Sequence, residues 1–480
     1  MAEASRLSAD FPPATAESWR TLVAKTLGDA PFSSLERTTV EGLPIAPLYP
    51  PGELPGTQAF PTRPFDAARP WDLRVLTAHP DIGQANIEIL GDLEGAAASS
   101  IVRIDPTGRA GVAVGSADDL ARVLKDVIVE LAPVGLDAGF LGPKAADWLG
   151  AVAKASPGAK LNFHMDPLSA FAEAGASPGP IESHLVSAAT VGVRLAETYP
   201  HSALFLASGR AAHEAGGGEA LELAVAAAAA IAYAKALVRA GLPMAEAFAR
   251  ITLGLAADTD YFVTISKLRA AREIWARIAV ACQAGPTARI EARSSQRMLA
   301  RQDAWTNMIR LTAAGFGAAV GGADAVVLGN FTDAIGLPTA FARRQSRNTQ
   351  LVLMEEAHVG RVADPAAGSG YVEAMTDQLA RTAWAKLQEI EGAGGVIAAL
   401  ASGLIARDVE AAKAARPEPK LVGVNAFPPA KEDPVDVEAV EPQPVEAPSA
   451  ALPGPDSACP ALTAIRVAEA YEAAPKEVSQ

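Results

Sequence analysis

The sequence predicts an α/β fold, and a (β/α)8 TIM barrel fits it best. Short apolar runs alternate with longer helical patterns across residues 71–410. Some of these runs, such as ALFLA at 203–207, are apolar on both faces, which is typical of parallel strands covered by helices. Repeated strand–helix units over a few hundred residues are what a closed parallel barrel requires.

The individual barrel elements follow from these runs. Short apolar runs bounded by polar or turn residues predict strands at 73–78, 99–105, 110–116, 159–166, 202–208, 251–258 and 288–295. The longest apolar run, LAVAAAAAIAYA at 223–234, is too short and too rich in alanine to span a bilayer. It therefore predicts a tightly packed buried helix.

Residues 1–70 form a predicted N-terminal arm outside the barrel. One amphipathic helix is expected from about Thr15 to Leu27, with Trp19 and Leu22 on its apolar stripe. A proline-punctuated segment follows this helix. Because such a segment cannot build its own core, we expect the arm to lie on another surface.

Residues 411–480 form a predicted C-terminal tail rich in proline and alanine. We expect 411–456 to be a linker or an extended tail, disordered unless something pins it. A short helical segment is expected at 463–474.

Composition restricts the function classes. The net charge of −14 argues against nucleic acid and anionic membrane as partners. The two cysteines, Cys282 and Cys459, are far apart in sequence and fit a reducing cytoplasm. The N-terminus shows no secretory signal.

One glycine-rich segment suggests a cofactor site. ADPAAGSGYVEAM at 363–375 is similar to the turn with which adenine-type DNA methyltransferases hold S-adenosylmethionine. The Asn/Asp-Pro-Pro-Tyr/Phe motif of those enzymes is absent from the sequence. A turn that caps a helix from Val372 to Gln388 is the favoured interpretation.

The histidines do not define a metal or catalytic site by spacing. They are His79, His164, His184, His201, His213 and His358. No two are four residues apart, so no helical zinc pair is predicted, and we expect no metal site. His164 is expected on a barrel strand facing the lumen, near Asp166. No nucleophile elbow and no P-loop occurs, so these motifs alone leave the chemistry open.

Longer stretches resemble one family much more specifically. The stretches are RPWDLR at 69–74, ISKLRAAREIWARI at 265–278, AIGLPTAFARRQSRNTQLVLMEE at 334–356 and VADPAAGSGYVEAMTDQLARTAWAKLQEIEGAGG at 362–395. They resemble the substrate-binding barrel of methylmalonyl-CoA mutases, and residues 11–49 are similar to that family's N-terminal arm. The resemblance covers nearly the whole chain and makes 363–375 a barrel turn.

The resemblance implies acyl-CoA isomerisation with adenosylcobalamin. In the family, the acyl-CoA lies along the barrel axis and a C-terminal domain carries the cobalamin. An Asp-x-His-x-x-Gly motif of that domain supplies the lower cobalt ligand, and this sequence contains no such motif. We therefore expect the cobalamin domain to be missing, no cofactor on this chain, and adenosylcobalamin on a partner chain.

Pocket segments depart from the catalytic pattern at four positions. Catalytic members read Ser-Gly-Tyr-His-Ile-Gln-Glu-Ala-Gly where this chain reads 208–216 as SGRAAHEAG. The family's tyrosine and histidine thereby become Arg210 and Ala211. A further tyrosine becomes Leu76, and a second histidine becomes Leu328. Since alanine and leucine cannot donate hydrogen bonds, the electrostatic contribution to catalysis expected there is lost.

The interpretation is a non-catalytic small subunit of a heterodimeric methylmalonyl-CoA mutase, with the catalytic large subunit as partner. The substitutions are expected to make its lumen more apolar and to allow side chains to fill it. Two enzymatic alternatives remain: a divergent acyl-CoA mutase barrel that uses a separate cobalamin-binding chain, or a new anion or thioester site built from Arg210 and His213.

Overall fold

Eight parallel strands close into a barrel at the centre of the protein. The computed structural model describes residues 14–50, 66 and 68–472. The barrel strands β1–β8 are Asp72–Thr77, Ser99–Arg103, Val134–Asp137, Asn162–Met165, Ala203–Ser208, Ile251–Ala257, Ile290–Ser294 and Ala325–Val327. Each strand pairs with the next in chain order, and β8 closes the barrel on β1. The predicted (β/α)8 fold is confirmed.

Helices surround the barrel and connect its strands. They are α1 Ala16–Leu27, α2 Ile82–Glu94, α3 Ala117–Val123, α4 Gly142–Val152, α5 Pro167–Ala174, α6 Ile181–Thr198, α7 Arg210–Glu214, α8 Glu219–Arg239, α9 Met244–Ala249, α10 Tyr261–Ala281, α11 Asn307–Val320, α12 Ala340–Leu351, α13 Gly370–Gly392, α14 Val396–Ala401, α15 Leu404–Ala415 and α16 Glu469–Glu472. Within the described residues, α8 alone is long and apolar enough to cross a membrane. It packs instead against β5, β6 and α13, so the predicted buried helix is confirmed.

The structure corrects one predicted strand and adds two. The segment 110–116 is a loop that folds back on the end of β2, where it makes a single bridge between Ile104 and Val112. Gly111 and Gly115 interrupt this run, which weakens it as a strand. The strands β3 and β8, of four and three residues, were not among the predicted runs.

The N-terminal arm contacts the barrel through its second half. The predicted helix is present as α1, which Thr15 caps, but no residue of α1 is buried. Further along, the Glu41 carboxylate accepts hydrogen bonds from the N–H groups of Ala220 and Leu221 at the start of α8, at 2.9 and 3.0 Å. Leu43 is buried in the core. The arm is therefore anchored to the barrel after α1, whereas α1 packs against the residues that follow it, with the Trp19 ring 5.9 Å from that of Phe32.

The C-terminal residues 416–472, which we call the strap, run along the carboxyl end of the barrel. Residues 437–438 pair with 337–338, and 457–458 pair with 176–177. Between these two contacts, the Val445 N–H donates to the Pro106 carbonyl at 2.8 Å. The tail that we expected to be disordered unless pinned is thus pinned to its own barrel. Of the helix predicted at 463–474, only α16 is present in the described part.

Candidate functional site

The carboxyl ends of the strands form the mouth of the barrel, where enzymes of this fold place their active sites. Two adjoining cavities of about 520 Å³ each lie there. Arg103, Arg210 and Arg293 line both of them. Strap residues 438–442 border the first cavity and 462–464 border the second. The strap therefore forms part of the wall of each cavity.

The structure brings the four altered pocket positions together at this mouth. Leu76 and Leu328 line the first cavity, Ala211 lines the second, and Arg210 lines both. Among these four side chains only Arg210 can form hydrogen bonds. Its guanidinium lies 3.7 Å from the Glu214 carboxylate.

Beneath the mouth, charged side chains fill the barrel lumen. Arg74 Nη1 lies 2.6 Å from a Glu291 carboxylate oxygen. Arg293 binds the other Glu291 oxygen at 2.7 Å and Asp137 at 2.9 Å. We call Asp72, Arg74, Glu291, Arg293 and Asp137 the ionic layer. Side chains fill the lumen here, but they are charged and not apolar, because the substitutions at the mouth do not determine the side chains one layer below it.

Mutual compensation keeps the ionic layer charged. Burial raises the pKa of Glu291, but the cations of Arg293 and Arg74 outweigh it and hold that pKa well below its usual range. Burial likewise raises the pKa of Asp137, but the guanidinium groups beside it outweigh burial and lower that pKa strongly. Both carboxylates are therefore ionised at neutral pH.

The ionic layer separates the mouth from the amino end of the barrel. A cavity of about 240 Å³ lies at that end, lined by Asp72, Arg74 and Glu291 together with residues that precede the strands. Arg293 and Asp137 instead face the second mouth cavity. Ion pairs therefore cross the barrel axis at a level between the mouth and the amino end.

His164 lies on β4 and faces the second mouth cavity, as its sequence position suggested. Its backbone is in the left-handed region, with φ of 45°. Neither ring nitrogen has a hydrogen-bond partner among the described residues. Burial, together with the charges of Arg74 and Arg293, lowers the pKa of His164 to about 3, although Glu291 opposes this. The imidazole is therefore neutral.

His213 lies outside both mouth cavities, so the structure does not combine it with Arg210 in one site. Its side chain is fully buried on α7. One ring nitrogen is 3.0 Å from the Ser295 hydroxyl and the other is 3.2 Å from the Glu222 carboxylate. His213 belongs to a cluster between α7, α8 and α10.

In this cluster, buried cations pair with the carboxylates of Glu219 and Glu222. Lys267 bridges Glu219 and Glu222, with its ammonium 2.6 Å from Glu222. Burial and Arg297 lower the pKa of His213, but Glu219 and Glu222 outweigh them and raise it to about 10. His213 is therefore a third cation beside Lys267 and Arg297. No sequence spacing signalled the cluster, because its members come from separate elements.

The ligand atoms of His213, Glu219 and Glu222 lie within 4.8 Å of one another, close enough for a metal ion. Lys267 already places its ammonium between the two carboxylates. A metal ion would have to displace this buried, paired cation. The arrangement is typical of an internal ion cluster and not of a metal centre.

Three other histidines are held by neighbouring groups or lie away from the mouth. His79 is the histidine that lines the first cavity, and its Nδ1 already accepts the Asp81 N–H at 3.1 Å while Nε2 faces Glu438 of the strap. His184 is buried on α6. His201 lines the amino-end cavity. Of these three imidazoles His79 is the one at the mouth, and both of its ring nitrogens already face polar groups.

The glycine-rich segment 363–375 is a turn that leads into α13, as the favoured interpretation predicted. The Gly368 N–H donates to the Glu373 carboxylate at 2.9 Å, and Glu373 also binds Arg269 on α10. A closed barrel has no place for the open methyltransferase sheet. The segment therefore joins two barrel helices.

The fold defines a (β/α)8 barrel whose mouth is bordered by the chain's own C-terminal strap. A family model described as methylmalonyl-CoA mutase matches residues 90–451. The chain belongs to the methylmalonyl-CoA mutase family.

Several relatives in this family carry the name small subunit. The methylmalonyl-CoA mutase small subunit of Streptomyces virginiae is 37% identical over 97% of this chain and 76% of that protein. The small subunit of Propionibacterium freudenreichii subsp. shermanii is 35% identical over 85% of this chain and 67% of that protein. The probable small subunit of Mycobacterium tuberculosis (strain ATCC 25618 / H37Rv) is 39% identical over 78% of this chain, and the match spans 62% of that protein's length.

Proposed function

We propose that this chain is the non-catalytic, structural small subunit of a heterodimeric, adenosylcobalamin-dependent methylmalonyl-CoA mutase. Interconversion of (R)-methylmalonyl-CoA and succinyl-CoA would take place on the large subunit. The observation that carries the proposal is the ionic layer that crosses the lumen beneath Leu76, Ala211 and Leu328.

A reacting acyl-CoA would need a path along the barrel axis. That path leads through Arg74, Glu291 and Arg293, which are 7%, 1% and 4% exposed. Breaking a buried ion pair leaves an uncompensated charge and costs about 3–5 kcal/mol. The ionic layer therefore opposes entry of the pantetheine chain.

The thioester would also need hydrogen-bond donors at the mouth. Ala211 and Leu328 offer none, because their side chains carry no polar atoms. Preorganised donors at the developing charge are usually a large contribution to catalysis. Their absence at these two positions supports a structural role for this chain.

The arm supports the presence of a partner chain. The apolar stripe of α1 is partly exposed among the described residues: Trp19 contacts Phe32, but Leu22 is 64% exposed. Such a stripe is normally buried in a large interface between subunits. The small-subunit names of the relatives agree with a larger partner. We place adenosylcobalamin on that partner and the complex in the cytoplasm, where the free thiols of Cys282 and Cys459 would remain reduced.

Turnover with adenosylcobalamin tests the proposal. We expect no conversion of methylmalonyl-CoA by the purified chain, and conversion by a stable one-to-one complex after co-expression with a catalytic large subunit. Turnover by the chain alone, or with only a separate cobalamin-binding chain added, would contradict the proposal. That outcome would favour the alternative of a divergent acyl-CoA mutase barrel.

A further inference from the structure

We propose that the strap covers the first mouth cavity in a pH-dependent way, closing below neutral pH and loosening above it. The contact that responds to pH lies where Glu438 of the strap meets helix α2, because carboxyl groups outnumber guanidinium groups there. Loosening of this contact would open the first mouth cavity. The inference does not rest on the proposed function, since it concerns only how the strap is held.

The strap is fastened at this cavity by Glu438. Together with Val437 it pairs with residues 337–338, and it lines the cavity. Its carboxylate lies 3.4 Å from Nε2 of His79, whose Nδ1 accepts the N–H of Asp81 at 3.1 Å. In the neutral imidazole, Nε2 therefore carries the hydrogen and faces Glu438. This contact holds the strap without a change of charge.

Behind Glu438, two buried carboxyl groups of α2 lie beside two arginines of α12. Glu88 is 8% exposed and Asp92 is 2% exposed. Arg343 has one Nη atom 3.1 Å from Glu88 and the other in contact with Asp92. Arg347 binds the remaining oxygen of Asp92. Counting Glu438, the cluster holds three carboxyl groups and two guanidinium groups, one positive charge short of neutrality.

Glu88 is the carboxyl group of this cluster that can hold a proton near neutral pH. Its Oε2 accepts no hydrogen bond within the described chain, whereas both oxygens of Asp92 bind arginines. Burial raises the pKa of Glu88, Arg343 lowers it, and Asp92 and Glu438 raise it further, to about 7. Glu88 is therefore neutral in mild acid and becomes an anion as the pH rises above neutral.

Proton binding at Glu88 and closure of the strap favour each other. Glu438 raises the pKa of Glu88, so the closed strap increases the affinity of Glu88 for a proton. By linkage, loss of that proton weakens the closed strap by the same factor. Below neutral pH, Glu438 meets an uncharged Glu88 and the strap stays closed. As the pH rises through about 7, the Glu88 anion repels Glu438, whose side chain is 31% exposed and can move outward.

The other charged groups of this cavity do not reverse the direction. Asp333 lines the cavity, and burial raises its pKa while hydrogen bonds from Asn330 and the nearby arginines lower it. Its ionisation adds negative charge as the pH rises, as does that of Glu88. Guanidinium groups stay protonated throughout this range. Those that line the cavity belong to Arg103, Arg109, Arg210, Arg293 and Arg343.

Amide hydrogen exchange of strap residues 436–446 in the full-length chain tests the inference, at about pH 6 and about pH 8. These residues include the Val445 N–H, which donates to Pro106. Each exchange rate is divided by the intrinsic rate of the same residue at the same pH, so that the ratio reports opening of the strap. We expect the native strap to be open about threefold or more often at the higher pH, the effect of one partly exposed charge interaction.

Glu88→Gln is the test variant, because glutamine keeps the shape of the protonated glutamic acid and stays uncharged. We expect its strap to be equally protected at both pH values, and better protected than the native strap at the higher one. Glu438→Gln removes the repelled charge and should also abolish the pH dependence. Glu446→Gln is the matched control and should keep it, because Glu446 is exposed on the same strap and does not line the cavity.

Circular dichroism checks that each variant is folded. Equal protection of the native strap at the two pH values, or a pH dependence that persists in folded Glu88→Gln or folded Glu438→Gln, would overturn the inference. Stronger protection of the native strap at the higher pH would also overturn it, because the sign would be the reverse of the one predicted.

Discussion

At the residue scale, charged side chains at alternate positions of β1 and β7 fill the barrel lumen. Asp72 and Arg74 face inward on β1, while Glu291 and Arg293 face inward on β7. In a strand, side chains two residues apart lie on the same face. These four charges therefore meet in the lumen and compensate one another there.

This alternation was present in the sequence and could have predicted the ionic layer. The run IEAR at 290–293 places a glutamate and an arginine two residues apart between small or apolar residues. The partners across the barrel could not be predicted, because pairing depends on strand register. The positions of Leu76, Ala211 and Leu328 were predictable, since the flanking family residues fix the alignment around them.

The cluster around His213 gives a stability prediction. Lys267→Met removes a fully buried cation that pairs with Glu219 and Glu222, so two buried carboxylates lose their main partner. We expect the free energy of unfolding in urea to fall by about 3–5 kcal/mol.

Lys235→Met is the matched control for that variant. Lys235 lies on the surface and binds Glu391 at 3.1 Å, and an exposed ion pair of this kind contributes no more than about 1 kcal/mol. Equal losses of unfolding free energy in the two variants would contradict the structural importance assigned to the cluster.

At the element scale, the strap is fitted closely to the loops of the mouth. A Cβ atom built on Gly115 would lie 1.9 Å from the carbonyl oxygen of Glu446, and one on Gly179 would lie 2.4 Å from that of Leu452. These glycines therefore allow two backbones to approach each other. Composition alone predicted a flexible tail here. It does not show that glycines in barrel loops allow the backbone of the strap to pack closely against them.

Gly115→Ala should release the strap locally. The added methyl group cannot coexist with the present position of Glu446, so residues 438–446 should move away from the barrel. We expect a glutamate-specific protease to cleave in this segment several times faster, with unchanged circular dichroism of the barrel. In Gly158→Ala, where a Cβ meets nothing within 4 Å, the cleavage rate should stay at the native value. Native resistance in Gly115→Ala would show that the strap does not depend on this contact.

The helix α1 is the element that we expect to recognise the large subunit. Leu22→Asp places a charge on the exposed part of its apolar stripe. It should weaken subunit association about tenfold or more, measured by titration of one subunit into the other. Ala24→Asp introduces the same charge on another side of the same helix and should have little effect. Equal affinities for the native chain and Leu22→Asp would exclude this stripe from the interface.

Deleting residues 1–65 should abolish assembly, but it is the less specific experiment. That deletion also removes Glu41 and Leu43, which contact the barrel. Sequence periodicity predicted α1 and its apolar stripe correctly. It could not show that the following residues return to cap α8, because this contact joins positions far apart in the chain.

At the scale of the whole molecule, three parts combine into one account. The strands form a closed barrel, the strap forms part of the wall at the mouth of the barrel, and the ionic layer crosses the barrel axis. This arrangement agrees with the proposed structural role beside a catalytic partner. Sequence patterns predicted the barrel class, while the strap's course and the plugged axis required the three-dimensional arrangement.

Equilibrium binding of succinyl-CoA to the purified chain is the measurement that tests the central claim most directly. A catalytic large subunit in the same buffer serves as the positive control. Because the ionic layer crosses the axis, we predict that the large subunit binds the ligand stoichiometrically and that this chain shows no saturable binding. One-to-one binding of succinyl-CoA by this chain would contradict the account.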